Sequence, residues 1–195
     1  GEAEEQDEPF KISDLGQILG SMGFWLVSLL CVLYYSAIFP FQKYAVNMLQ
    51  CNLTFTPVDK DSFWASTEVT IIQYGIMLVV AITAFMFNFM KNKKVKYSIL
   101  CLSVVFLIAY CCMGYMRQSA ESIFAVFPLL AVGITPILGS YVDHKGKAAT
   151  MLILGALLLI SCHLTFAFIL PMFKGHAIGG VIVAYLTILV LGASF

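Results

Sequence analysis

The segment Gly139-Ser140-Tyr141-Val142-Asp143-His144-Lys145-Gly146-Lys147 is the only dense polar patch in the second half of the chain, and a helix-length apolar run lies on each side of it. This pattern predicts a tight turn between two membrane helices. Gly139 lets one helix end close to a neighbour, and Gly146 can adopt a backbone conformation that other residues resist. Asp143 is placed to face a helix N-terminus or a basic partner. The two lysines of the segment favour the cytoplasmic side of the membrane.

The composition also indicates membrane spans, since 61% of the 195 residues are apolar and only 11% are charged. A soluble domain of this size needs more charged residues to cover its surface. The net charge is zero, so the composition does not suggest a nucleic-acid partner, although the charges are clustered along the chain. The six cysteines mostly lie inside apolar runs without the spacing of a metal site. They are therefore predicted to be packing residues, and neither a metal nor a cofactor is expected.

Six charge-poor runs follow an acidic start and predict an all-α fold, a polytopic membrane helix bundle with about six transmembrane helices. Residues 1–20 are predicted to be an acidic cytoplasmic linker, in which residues 10–19 can form a short interfacial helix. Residues 21–195 form the predicted C-terminal transmembrane domain. The chain has neither an initiator Met nor a polar end, so we expect that further segments precede it and that the domain is truncated. The spans are expected at about 23–43, 69–90, 97–116, 122–142, 148–173 and 175–195.

The lysines give these spans a consistent topology. Four lysines lie within residues 91–96, directly after the second span, and such clusters mark the cytoplasmic side. With the linker inside, the alternating direction of the spans also brings Lys145 and Lys147 inside. The polar loop predicted over 44–68, with a glycosylation sequon at Asn52, is then expected on the outer side.

The spacing Gly-x-x-x-Asp-x-x-Gly-Lys over 139–147 resembles motif A of the major facilitator superfamily, with an ordinary polar loop and glycine turn as the alternative interpretation. Residues 30–41, Leu-Cys-Val-Leu-Tyr-Tyr-Ser-Ala-Ile-Phe-Pro-Phe, resemble the seventh helix of one branch of that family. This branch contains lysosomal dipeptide transporters and their bacterial relatives. Residues 162–168 are similar to a run in its ninth helix. The resemblance covers residues 15–50 and 122–195.

The resemblance implies a partial major facilitator superfamily fold, the C-terminal half of a transporter that moves a dipeptide or similar organic solute by alternating access. Transport would be uniport or coupled to an ion. Residues 69–116 have no counterpart and are interpreted as an inserted helical hairpin. A competing interpretation counts the six spans as a complete C-terminal half. The expected partners are a small-molecule substrate, the lipid bilayer and the missing N-terminal half of the same protein.

Three side chains are predicted to bind the substrate. His163 is the only ionisable group deep in a span apart from tyrosines and cysteines, so it could titrate or contact the substrate. A neutral histidine bonded to a neighbouring helix is the alternative. Tyr34 and Tyr35 are successive, so both cannot face a cavity squarely, and either could bind the substrate.

The resemblance assigns Gly139, Asp143, Gly146 and Lys147 to a cytoplasmic gate, in which the acid pairs with the partner half. Movement of two halves also requires small contact residues and flexible helices. Ala131, Thr135 and Gly139 form a stripe of small residues on the fourth span. Flexibility is expected at the prolines within or near spans, namely Pro40, Pro128 and Pro136.

Other functional classes compete with transport. An intramembrane enzyme needs a nucleophile or a metal site at membrane depth. The sequence contains no His-Glu-x-x-His, no Gly-x-Ser-x-Gly and no paired aspartates, so no enzymatic activity and no catalytic residue are predicted. A channel or a non-transporting membrane scaffold is compatible with the same sequence. The expected location is the bacterial inner membrane, or the lysosomal membrane in a eukaryote.

Overall fold

The computed structural model describes residues 12–56, 58–174 and 177–194, and these ranges contain helices and turns but no strand. The chain divides into two compact units, of which the first ends at Gln42 and the second begins at Lys43. The first unit holds helix α1, Ile12–Gly20, and most of helix α2, Met22–Leu53. α1 occupies the place where a short helix was predicted over 10–19. Residues 1–11, the most acidic part of the predicted linker, lie outside the described residues.

Helix α2 is longer than the predicted span over 23–43, because it continues through Pro40 to Leu53. Residues 44–53, predicted as loop, are therefore helical. Every fourth residue of this extension, Ala45, Leu49 and Leu53, is buried, so one face of the extension packs within the second unit. At 32 residues α2 is about 48 Å long, which exceeds the roughly 30 Å hydrocarbon core of a bilayer.

Among its described residues, the second unit contains six further helices, two short 3₁₀ turns and one π-helical turn. Ser66 and Asn92 cap the starts of two of these helices, where their side chains accept hydrogen bonds from Val69 N and Lys94 N. The helices are α3 Thr67–Phe89, α4 Lys93–Met116, α5 Ala120–Phe124, α6 Phe127–Lys145, α7 Ala148–Leu164 and α8 Ala177–Ser194. The remaining turns are the 3₁₀ turns Phe63–Ala65 and Leu170–Phe173 and the π-helical turn Thr165–Ile169.

The span predicted over 122–142 is divided in two. A break at residues 125–126 separates α5 from α6, and Pro128 lies in the first turn of α6. Proline is tolerated at that position because the backbone N–H groups of the first turn have no intrahelical acceptor. Pro128 therefore begins a helix and is not a flexible point inside one. Pro136, in contrast, does lie inside α6.

Two contacts show that α3 and the α5–α6 segment run parallel. The Gln73 side chain meets Ser122, with 3.4 Å between Ser122 Oγ and Gln73 Oε1. Eleven residues later on both segments, the Cβ of Ala84 lies 3.8 Å from the position a Cβ would take on Gly133. Because the two segments run in the same direction, the lysine turn after α3 and the turn after α6 lie at one end of the unit. We call this end the basic end.

The basic end can be tested by labelling. In a background without native cysteines, Lys91→Cys and Lys145→Cys should react with a membrane-impermeant maleimide from the same side, because both turns lie at one end of parallel segments. Thr56→Cys, in the exposed turn after α2, is the matched control and should react from the other side. Labelling of positions 91 and 145 from opposite sides would contradict this topology.

In the part of the chain that the structure describes, five helical segments are long and apolar enough to cross a membrane: Met22–Leu53, Thr67–Phe89, Lys93–Met116, Ala120–Lys145 and Ala148–Phe173. A sixth apolar helix, Ile178–Ser194, is shorter. At most 24% of any of the five spanning windows is buried, so large apolar faces remain outside. Such faces are stable against lipid. The predicted fold class is confirmed: the protein is an all-α polytopic membrane helix bundle, and it is an integral multi-pass membrane protein.

Candidate functional site

The turn between α6 and α7 has a defined geometry. Gly146 ends α6 in the left-handed conformation, with φ at 64°, and its N–H donates to Val142 O at 2.7 Å. Residues other than glycine resist this conformation, which explains the glycine at this position. Lys147 is the N-cap of α7 and forms no side-chain capping hydrogen bond. Asp143, in the last turn of α6, is exposed and does not cap α7.

One side of α6 near this turn is uncovered. No heavy atom lies within 4 Å of the position that a Cβ would take on Gly139. Thr135 is also exposed, and Ala131 is half-buried. The stripe of small residues predicted from the sequence therefore faces away from the packed interior of the second unit.

His163 lies one residue before the end of α7 and is half-buried. Its Nδ1 is 2.9 Å from Leu159 O. A carbonyl oxygen can only accept, so Nδ1 carries the proton and the neutral ring is the Nδ1–H tautomer. This hydrogen bond lies within α7, and the predicted bond from His163 to a neighbouring helix stays a prediction.

The backbone after His163 departs from the α-helix. Residues Thr165–Ile169 form a π-helical turn, closed by a hydrogen bond from Leu170 N to Thr165 O, and Pro171 follows in a 3₁₀ turn. Pro171 has no N–H to donate to the carbonyl four residues earlier, so the regular pattern cannot continue through this position. π-helical turns occur often at functional sites. This one was not predicted, although Pro171 was visible in the sequence.

Tyr34 and Tyr35 lie in the first unit, on α2. Tyr34 is half-buried, whereas Tyr35 is exposed and stacks on Phe39, with ring centroids 5.0 Å apart. The two side chains point in different directions, as successive residues of a helix must.

A polar cluster inside the second unit was not predicted. The Arg117 guanidinium donates to Gln73 Oε1 through Nη1 and to Thr70 Oγ1 through Nη2, the latter at 2.7 Å. Gln73 is 2% exposed, and its Oε1 also accepts from Ser122. Tyr110 adds a hydrogen bond from its OH to Ser122 O at 3.0 Å. The cluster joins α3, α4 and α5, so residues 69–116 are an integral part of the second unit.

Gly114 makes room for this cluster. A Cβ at Gly114 would overlap the hydroxyl of Tyr185 and would lie 3.1 Å from Ser122 Cβ. The Gln73 Nε2 atom is 3.5 Å from the same position, and it has no hydrogen-bond partner among the described residues. An unsatisfied buried amide is uncommon and costs about 1–3 kcal/mol of stability. Gln73 is therefore not explained by the stability of the fold alone.

An apolar cavity of about 220 Å³ lies between α3, α4 and α6. Two of its lining residues carry hydroxyls, Thr83 and Ser103, and Thr83 donates to Val79 O within its own helix. A polar solute would lose its hydrogen bonds to water here without replacement. This cavity is therefore no site for a peptide. Within the described ranges, no group of three or more His, Cys, Asp or Glu side chains could hold a metal ion.

Comparison with known proteins finds no matching family model, no matching protein sequence and no matching solved structure. The long apolar helices define the protein as a multi-pass helical membrane protein.

Proposed function

We propose that this chain is the C-terminal half of an alternating-access transporter of the major facilitator type, which moves a small organic solute such as a dipeptide across its membrane. The geometry of the α6–α7 turn carries the proposal. A left-handed Gly146 closes the turn, and an exposed Asp143 stands one turn before it. This is the arrangement that a gate needs when its acid must pair with a second half.

The uncovered face of α6 supports the same function. A helix that slides against another needs small side chains at the contact. The open space at Gly139 and the exposure of Thr135 leave such a face free for a partner. Pro136, in the same helix, removes one backbone hydrogen bond and allows the helix to bend.

In this proposal His163 is the residue of the second unit that contacts the solute, and Tyr34 and Tyr35 are the candidate contacts in the first unit. The Nδ1–H···O bond to Leu159 fixes the ring orientation of His163. The π-helical turn beside His163 interrupts the regular backbone where a solute site is expected to lie. The protein would act in a bacterial inner membrane or, in a eukaryote, in a lysosomal membrane.

Counterflow in proteoliposomes tests the proposal. Full-length protein, including any half that precedes this chain, is reconstituted with unlabelled dipeptide inside and trace labelled dipeptide outside, with amino acids and sugars as parallel panels. A carrier accumulates label transiently against its gradient, because bound solute is exchanged as the site alternates. A channel equilibrates label without overshoot, and a scaffold or an enzyme takes up none, so either result overturns the proposal.

Replacement of His163 by glutamine should raise the KM for the transported solute about three- to tenfold with little change in expression. The glutamine amide is polar but lacks the imidazole ring, so its hydrogen bond to the solute is altered. One altered hydrogen bond changes the binding free energy by about 0.5–1.5 kcal/mol. Ser161→Ala is the matched control, because Ser161 is exposed on the same helix and its hydroxyl donates to Leu157 O within that helix. Equal KM values for the two variants would remove His163 from the solute site.

A further inference from the structure

At the end of the second unit opposite the basic end lies an open cleft of about 340 Å³. Three segments form it: the C-terminal part of α2, the loop before α3 and the turn after α4. This volume falls in the range of small-molecule sites. Its lining residues are Val46, Gln50, Val58, Trp64, Ala65 and residues 117–121.

Arg117, the only arginine of the chain, is the positively charged residue that lines this cleft. Its side chain is half-buried and is held by Gln73 and Thr70. Both acceptors are uncharged, so they orient the guanidinium without neutralising it. A guanidinium has five N–H groups, and these two bonds leave three for a ligand.

Hydrogen bonds to Gln73 and Thr70 fix the orientation of the Arg117 side chain. Gln73, which accepts from it, is itself 2% exposed and also accepts from Ser122. A positioned guanidinium loses little freedom when it binds a planar oxyanion, and it can hold a carboxylate through two parallel hydrogen bonds. The same Arg117 as a free surface side chain would bind more weakly.

Glu121 adds a negative charge to the cleft, beside the positive charge of Arg117. It is exposed and lines the same cleft as Arg117, four residues further along the chain. A carboxylate beside the site repels ligands with several negative charges and favours a ligand that carries a positive group next to its oxyanion. Trp64 also lines the cleft, and an indole can contact a cation or an apolar side chain.

We infer that this cleft binds a small soluble zwitterion, whose carboxylate is held by Arg117 and whose ammonium faces Glu121. Most of its lining residues lie outside the ranges that the family resemblance covers, and the cleft shares no residue with the proposed solute site at His163. It can therefore be tested whether or not the chain transports anything.

Trp64 provides the readout. In a Trp25→Phe background, Trp64 is the single tryptophan. Protein in dodecyl maltoside, free of added lipid, is titrated with L-alanine as the zwitterion, acetate as the carboxylate alone and ethylamine as the amine alone. Saturable change in Trp64 fluorescence is expected with alanine, weaker change with acetate and none with ethylamine.

Arg117→Gln should weaken alanine binding by about tenfold or more, the range of a charge-assisted hydrogen bond. Lys60→Gln is the matched control, since Lys60 is an exposed cation in the loop before α3 and does not line the cleft. Because Arg117 also supports Gln73, a second variant is needed. Glu121→Gln, on an exposed side chain, should weaken alanine binding and leave acetate binding equal or tighter.

Three results would overturn the inference. The first is a titration with alanine that does not saturate. The second is an Arg117→Gln variant that folds and binds alanine as the Lys60→Gln control does, or a Glu121→Gln variant with unchanged preference for alanine over acetate. The third is tighter binding of inorganic phosphate or phosphoethanolamine than of alanine, which would assign the cleft to a phosphate or a lipid headgroup.

Discussion

A Gly192→Ala variant is expected to lose about 2 kcal/mol of stability, seen as a fall of roughly 4–8 °C in the unfolding temperature in detergent. The reason is the contact between α8 and the start of α6. A Cβ on residue 192 would overlap the carbonyl oxygen of Phe127 and lie 2.9 Å from its carbonyl carbon. Both atoms belong to backbone, so no side-chain rotation can relieve the overlap and one helix must move.

Gly75→Ala is the control for this variant. Gly75 lies inside α3, and nothing is found within 4 Å of the position of its missing Cβ. Alanine has the higher helix propensity, so this change should be neutral or slightly stabilising. An unfolding temperature for Gly192→Ala equal to that of Gly75→Ala would show that α8 does not pack against α6 as described.

An Asp143→Asn variant is expected to reduce transport at least about tenfold while insertion and expression stay normal. Asparagine has nearly the same shape but no charge, so it cannot replace the Asp143 carboxylate in the proposed gate, where this group pairs with a cation of the partner half. Insertion should be unaffected, because Asp143 is exposed and caps no helix. Initial uptake rates, normalised to protein in the membrane, measure the effect.

The neighbouring residue supplies the control. His144 is exposed in the same turn of α6, with its Nδ1 2.7 Å from Ser140 O. His144→Gln changes a polar side chain at the same surface and should transport normally. Full transport by Asp143→Asn would exclude the gate role of Asp143, whereas equal loss in both variants would indicate a general effect of the turn.

The sequence was sufficient for the fold class, because spans are long, apolar and separated by charges. It was less informative where helix ends depend on packing. Residues 44–53 contain polar side chains and read as loop, yet they are helical because Ala45, Leu49 and Leu53 bury one face. The fourth span divides at residues 125–126, just before Pro128. Whether this proline begins a helix or lies inside one depended on where the helix starts.

The site was only partly predictable for a related reason. The α6–α7 turn depends on residues adjacent in sequence, so its glycine geometry could be expected from Gly146. The hydrogen bond between Arg117 and Gln73 joins residues 44 positions apart, and no local sequence pattern predicts such a pair. A single arginine at the end of an apolar run, together with a glutamine inside another, was the available signal.

The parallel arrangement of α3 and α6 has an electrical consequence. Six lysines, Lys91, Lys93, Lys94, Lys96, Lys145 and Lys147, gather at the basic end, whereas Asp59, Asp61, Glu68 and Glu121 belong to the segments at the other end. In a membrane energised negative on the side of the lysines, moving one such charge across requires about 2.3 kcal/mol per 100 mV. In such a membrane the voltage opposes inversion of the bundle. Its contribution adds to the free energy needed to remove the lysine charges from water.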